Sequence, residues 1–152
     1  MSQLRKDPLV DRWVIIAAER GRRPDDFSPS DVPQKSLGGA SCPFCTGNEA
    51  KTPPETWAAR PGDSAPNSPG WQVRVVPNKF PALRVEGDVN RCGLGMFDCM
   101  DGIGAHEVVI ESPHHDWNMS EAPTEEVALG LLAVQERIID LYRDARFRYV
   151  VA

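Results

Sequence analysis

From Glu19 to Gly70 the chain is dominated by Pro, Gly, Ser and Asp, and this long stretch limits the possible folds more than any other feature of the sequence. A compact domain does not carry so long a structureless connection unless something fastens it. The segment contains one candidate fastener, "SCPFCTGNEAKTPPE" (41–55), with Cys42 and Cys45 three positions apart. Thiolates at that spacing bind one zinc ion because a turn directs both sulfurs to one side. The intervening Pro-Phe and the following Thr-Gly-Asn supply turn chemistry.

A tetrahedral structural site needs four ligands, so two more are required. Cys92 and Cys99 offer a second pair, with six residues between them against the usual two to four. The other donors are His106, His114 and His115. His114 and His115 read equally well as a solvated turn after a strand, and His106, opening a strand, reads as structural. Spacing does not choose among them. For Cys42 and Cys45 the plain alternative is a pair of small buried side chains, but a Pro/Gly loop offers no core to bury them in. A redox pair lacks its usual setting, since no strand–CxxC–helix pattern surrounds them.

The 152 residues fit one ordinary domain, and 41% hydrophobic with 26% charged residues fits a globular protein. A net charge of −5 gives no electrostatic reason to expect nucleic acid as a partner. No apolar run approaches the roughly 20 residues of a membrane span. "MSQLRKDPLVDRW" at the start has no apolar signal core, so the expected compartment is the cytoplasm, with the cysteines reduced.

Periodicity places the remaining elements. "WVIIAA" (13–18) is a short β-type run, and Val73 and Val75 alternate with Gln72 and Arg74 as in a half-buried strand that Pro77 and Asn78 end. "RPGDSAPNSPG" (60–70) reads as a mobile surface excursion. Residues 85–105 hold charges and glycines, and "HEVVIESP" (106–113) is a third strand. A long helix is expected next, with Thr124 as N-cap and Glu125 and Glu126 in its first turn. Val127, Leu131, Val134, Ile138 and Leu141 would form its apolar face, and Arg143 and Arg146 lie near its end. "FRYVVA" (147–152) reads as another strand, and a chain that stops within one reads as part of something longer. Arg20, Arg22 and Arg23, just after the first strand, suit either a phosphate clamp or a solvated charged turn. Neither a Walker A loop nor a G-x-G-x-x-G or nucleophile-elbow motif occurs.

Taken together, "RKDPLVDRWVIIAAERGRRPDDF", "CPFCTGNEAKTPPE", "VRVVPNKFPAL" and "GAHEVVIESPHHDWNMSE" resemble the galactose-1-phosphate uridylyltransferase family of the histidine-triad-like superfamily, in its order and spacing. The resemblance covers nearly the whole chain and corresponds to the family's amino-terminal portion. It implies an α+β fold, an antiparallel half-barrel sheet crossed by a helix, present here as a truncated first repeat. It also implies transfer of UMP from UDP-glucose to galactose 1-phosphate through a covalent uridylyl-histidine, usually by a dimer. Carried over by position, Cys42, Cys45 and His115 look like three zinc ligands. The fourth, a histidine of a His-Pro-His region, would lie beyond Ala152. Arg20 and Arg23 match the arginines on the nucleotide phosphates. Asn78 matches the uridine-site asparagine, with Lys79 and Phe80 beside it. Lys51 falls where the family loop touches base or ribose.

The nucleophilic histidine has no counterpart in these 152 residues, so the resemblance implies no catalytic residue here and no nucleotidyl-enzyme intermediate from this chain alone. Two alternatives accompany this expectation. One is a relative acting on adenine nucleotides, such as a diadenosine-polyphosphate phosphorylase, because one scaffold serves several bases. The other is a non-catalytic zinc module whose site Cys92 and Cys99 complete.

Overall fold

A computed structural model of the chain describes residues 2–18 and 38–152. The first hairpin pairs β1 (Gln3–Asp7) with β2 (Arg12–Ile16), antiparallel. Its turn is held by the Asp7 carboxylate, which accepts from the backbone N–H groups of Leu9 and Val10 at 2.9 and 3.4 Å. Short acidic side chains favour turns through such local bonds. A second hairpin, β5 (Cys92–Leu94) and β6 (Phe97–Asp101), reverses at Gly95, whose φ of +61° suits glycine. Strand β6 pairs with β1, which gives one antiparallel sheet in the order β2-β1-β6-β5.

The second sheet is β3 (Trp57–Ala59), β4 (Val73–Pro77) and β7 (Glu107–Ile110), antiparallel with β4 in the centre. Helix α2 (Thr124–Leu141) packs across it, after a single helical turn, α1 (Gly38–Ser41), earlier in the chain. The expected α+β architecture, antiparallel sheet with a crossing helix, is therefore present, with its strands divided between two sheets. No helix among the described residues is long and apolar enough to cross a membrane.

Strand β4 is buried on both faces. Val73 and Val75 meet the helix with Ala133, joined by Trp57, Ala59, Val109 and Leu129. On the opposite side Val76 packs with Trp71 and Ile110. Period-two alternation suggests a half-buried strand, yet Arg74 is 1% exposed. A buried guanidinium requires partners, and they come from the Pro/Gly-rich segment. Glu55 accepts from Arg74 Nε at 2.8 Å, Thr52 Oγ1 accepts at 2.8 Å, and Asn67 Oδ1 accepts at 3.2 Å.

Four local expectations are corrected. Thr124 is the first helical residue rather than the N-cap; Pro123 occupies that position and offers no side-chain bond. The helix buries Gly130 and Ala133, while Leu131 is 63% exposed. Small residues let the helix backbone approach the sheet there, while Val127, Val134, Ile138 and Leu141 of the expected face are half-buried, so Leu131 alone of the five departs from it. Residues 147–152 form no strand, and no strand among the described residues pairs with them. Finally, Cys92 and Cys99 are disulfide-bonded rather than reduced: the β5–β6 register sets them directly opposite, with Cα atoms 5.1 Å apart.

Candidate metal centre and its surroundings

The loop after α1 carries Cys42 and Cys45, and Gly47, at φ +86°, lets the chain turn back after them. The segment after β7 carries His115. The two meet because the Thr46 N–H donates to the Pro113 carbonyl at 3.2 Å. Cys45 Sγ then lies 3.4 Å from His115 Nδ1, and the donor atoms of Cys42, Cys45 and His115 all fall within 4.8 Å of one another. A tetrahedral zinc with about 2.3 Å bonds to sulfur and about 2.0 Å to nitrogen sets those two ligands about 3.5 Å apart. Two soft thiols and an imidazole at that separation fit a divalent zinc-like ion. Burial pushes the Cys45 thiol up from its ordinary range, and the Cys42 thiol beside it adds to the effect. A coordinated cation reverses this by taking the thiolate form.

Cys92 and Cys99 take no part in this cluster, being tied to each other in the β5–β6 hairpin. His106 is also elsewhere. Its Nδ1 accepts from the Ala82 N–H at 3.0 Å, and its carbonyl accepts from the Asn78 N–H at 2.8 Å. These bonds fix the turn that follows β4, which carries Asn78, Lys79 and Phe80. Asn78 Nδ2 lies 3.2 Å from His106 Nε2, and Asn78 Oδ1 accepts from the Phe80 N–H at 2.8 Å. Lys79 and Phe80 are exposed on this turn. Lys51 lies in the metal loop, where its ammonium donates to the Ala40 carbonyl at 3.1 Å. Arg20 and Arg23 lie outside the described residues.

Sequence reasoning missed the residues that seat the loop. Glu49 is 6% exposed and accepts from the Trp71 indole at 2.8 Å and from the Gly47 N–H at 3.1 Å. Burial pushes its carboxyl up, but the Trp71 and backbone donors and the Arg74 charge outweigh that and hold it below its ordinary value. Glu55 behaves likewise: burial raises it, and the Arg60 and Arg74 guanidiniums bring it down further than burial lifts it. Arg60 also donates to Ser64 Oγ at 2.8 Å and to the Ser68 carbonyl at 3.0 Å, so residues of the 60–70 excursion are bonded to the same network. The only available signal was a carboxylate pair, Glu49 and Glu55, in a segment otherwise reading as loop.

In sequence and in its α+β fold the chain is similar to galactose-1-phosphate uridylyltransferase-like enzymes. Among them, it is 33% identical over 150 residues to ADP-glucose phosphorylase of Arabidopsis thaliana, covering 97% of this chain and 41% of that protein. The crystal structure of an ADP-glucose phosphorylase from the same plant, with bound ADP-glucose, superimposes with a TM-score of 0.57 at 31% identity, over 98% of this chain and 41% of that one. Galactose-1-phosphate uridylyltransferase of Thermotoga maritima is 24% identical over 151 residues, which is 99% of this chain and 39% of that protein. The chain thus spans about two fifths of the length of these relatives. No family model matches it.

Proposed function

We propose that this chain is the amino-terminal domain of an enzyme that cleaves a nucleoside-diphosphate sugar, with ADP-glucose phosphorolysis favoured over UMP transfer from UDP-glucose to galactose 1-phosphate. The observation that carries the preference is identity over nearly the whole chain: 33% to the ADP-glucose phosphorylase against 24% to the uridylyltransferase. In the phosphorolytic reading inorganic phosphate takes the place of the sugar phosphate as acceptor. The products are ADP and glucose 1-phosphate.

The chain's own residues bind and orient. Arg20 and Arg23 hold the phosphates, and Asn78, Lys79 and Phe80 meet the nucleoside, with Lys51 near the base or ribose. Cys42, Cys45 and His115 would hold a zinc ion, which would cross-link the loop to the segment after β7. The covalent nucleotidyl-histidine step belongs to a His-Pro-His-type motif that these 152 residues do not contain. What supports the binding assignments is the positional match of these residues to the family, and the rigid seating of the Asn78 turn by His106.

Calorimetric titration with ADP-glucose and with UDP-glucose tests the reading. Tighter binding of ADP-glucose is expected. Tighter binding of UDP-glucose would move the assignment to uridylyl transfer, and binding of neither would overturn the nucleotide-sugar reading for this chain.

A further inference from the structure

The candidate metal ligands come from two irregular segments, so neither a helix nor a strand ladder fixes their spacing. Asn48 occupies the centre of the ligand loop. Its Nδ2 donates to the carbonyls of Gly39, Ala40 and Cys42 at 3.0, 3.3 and 2.8 Å, and its backbone N–H donates to the Cys45 carbonyl at 3.1 Å. One residue therefore holds the main chain of both cysteines. The same bonds press Gly39 against the donor atoms: a Cβ built there would lie 3.4 Å from Cys45 Sγ and 3.7 Å from His115 Cβ. Asn48 Nδ2 is a hydrogen-bond donor with no lone pair to offer a cation.

We propose that Asn48 is the positioning residue of the metal centre: its carboxamide fixes the 39–42 turn over Cys42, Cys45 and His115 and sets the two sulfurs at coordinating distance. The inference rests on the metal-binding reading of that trio. A carboxamide is needed because three converging carbonyls demand a donor. Aspartate keeps the shape but has no hydrogen to give, and sets a negative charge against them. Groups that orient metal ligands without touching the ion typically account for about 10- to 100-fold in affinity.

The test measures zinc affinity by competition with a chromophoric chelator, together with the cobalt-substituted absorption spectrum, for the chain and for Asn48→Ala and Asn48→Asp. The expected result is a loss of about 10- to 100-fold in zinc affinity in both variants. Cobalt–thiolate charge-transfer intensity should fall, and Asn48→Asp should not rescue either quantity. A residue serving only general stability would lower the melting temperature of the metal-free chain and leave affinity and spectrum unchanged; that result overturns the inference. If the wild-type chain binds neither zinc nor cobalt, the metal reading and the inference fall together. If it binds and both variants match it, the inference alone falls. Should the variants not fold, the wild-type carboxamide is read by NMR. Slow exchange of the Asn48 Nδ2 protons and a shift on zinc addition support the role, and fast exchange without a shift overturns it.

Discussion

Cys45 Sγ and His115 Nδ1 lie 3.4 Å apart although 70 positions separate them in the chain. The contact joins the Pro/Gly-rich segment to the segment that follows β7, and it is made by the two residue types most suited to a shared zinc ion. Replacing Cys42 or Cys45 with Ser, or His115 with Ala, should abolish stoichiometric zinc binding. Replacing Cys92 and Cys99 together with Ser should leave it unchanged, because that pair is bonded to itself in the β5–β6 hairpin. Zinc stoichiometry by mass spectrometry under native conditions reads both. Loss of zinc in the Cys92/Cys99 variant would restore the reading of a four-cysteine module.

Glu55 stands between two guanidiniums, Arg74 Nε at 2.8 Å and Arg60 at 2.8 Å, and its side chain is only 7% exposed. Removing one partner of a buried pair leaves the other charge unpaired, which costs about 3–5 kcal/mol. Glu55→Ala strands Arg74, which is 1% exposed, and should lower the urea midpoint accordingly. Arg60, at 12% exposed, lies nearer the solvent and has Ser64 and Ser68 as further partners, so Arg60→Ala should cost less. Equal losses in the two variants would contradict this ordering.

The same carboxylates set an acid limit. Glu49 and Glu55 are both held below the ordinary value of 4.5, so the unfolded chain binds their protons more readily than the folded one. Their contribution to stability is fully present above 4.5 and is lost as pH falls through their lower folded values. Thermal unfolding followed from pH 7 down to pH 3 should show the decline setting in below 4.5. Glu49→Gln should start less stable at neutral pH and fall less steeply. A parallel decline in wild type and variant would rule out Glu49 as a contributor.

The Cys92–Cys99 bond closes a short loop across one hairpin, with a sequence separation of 7. Chain-entropy reasoning for so small a loop gives about 2 kcal/mol. Reduction by tris(2-carboxyethyl)phosphine, which offers zinc no competing thiolate, should therefore destabilise the β2-β1-β6-β5 sheet modestly. Hydrogen exchange resolved by residue would show amides of β5 and β6 opening faster on reduction, with those of β4 unaffected. A matching change in β4 would indicate that the two sheets unfold as one unit.

Strands β2, β4 and β7 and the long helix were legible because they depend on local signals. Val73, Val75 and Val109 announce strands, and the Thr124–Leu141 helix has both length and period. The candidate metal trio was legible in part: Cys42 and Cys45 suggest a site by spacing, whereas the choice of His115 over His106 required the family resemblance. The β1–β2 and β5–β6 hairpins were obscured. Arg5, Lys6 and Asp7 in β1, and Gly93, Asp98 and Asp101 in β5 and β6, replace the apolar alternation by which strands are recognised. Arg74 was misread for a related reason. A charged residue in an alternating strand normally marks the solvent face, and only Glu55, Thr52 and Asn67, distant in sequence, make its burial possible.

The orientation of α2 gives the last prediction. The larger apolar side chains suggest that Leu131 faces the core, but Ala133 is 0% exposed and packs on Val73 and Val75, while Leu131 is 63% exposed. Glu107 and Arg137, bonded at 2.8 and 2.9 Å, fix this rotation by tying the helix to β7. Overpacking a filled site costs about 1–3 kcal/mol, so Ala133→Leu should lower the urea midpoint clearly. Leu131→Ala, at an exposed position away from such contacts, should change stability by no more than about 0.5 kcal/mol. Arg137→Met should add to the first effect, because it loosens the tie that holds Ala133 against β4. The opposite order, a large loss at Leu131 and tolerance at Ala133, would mean that the helix presents its other face to the sheet in solution.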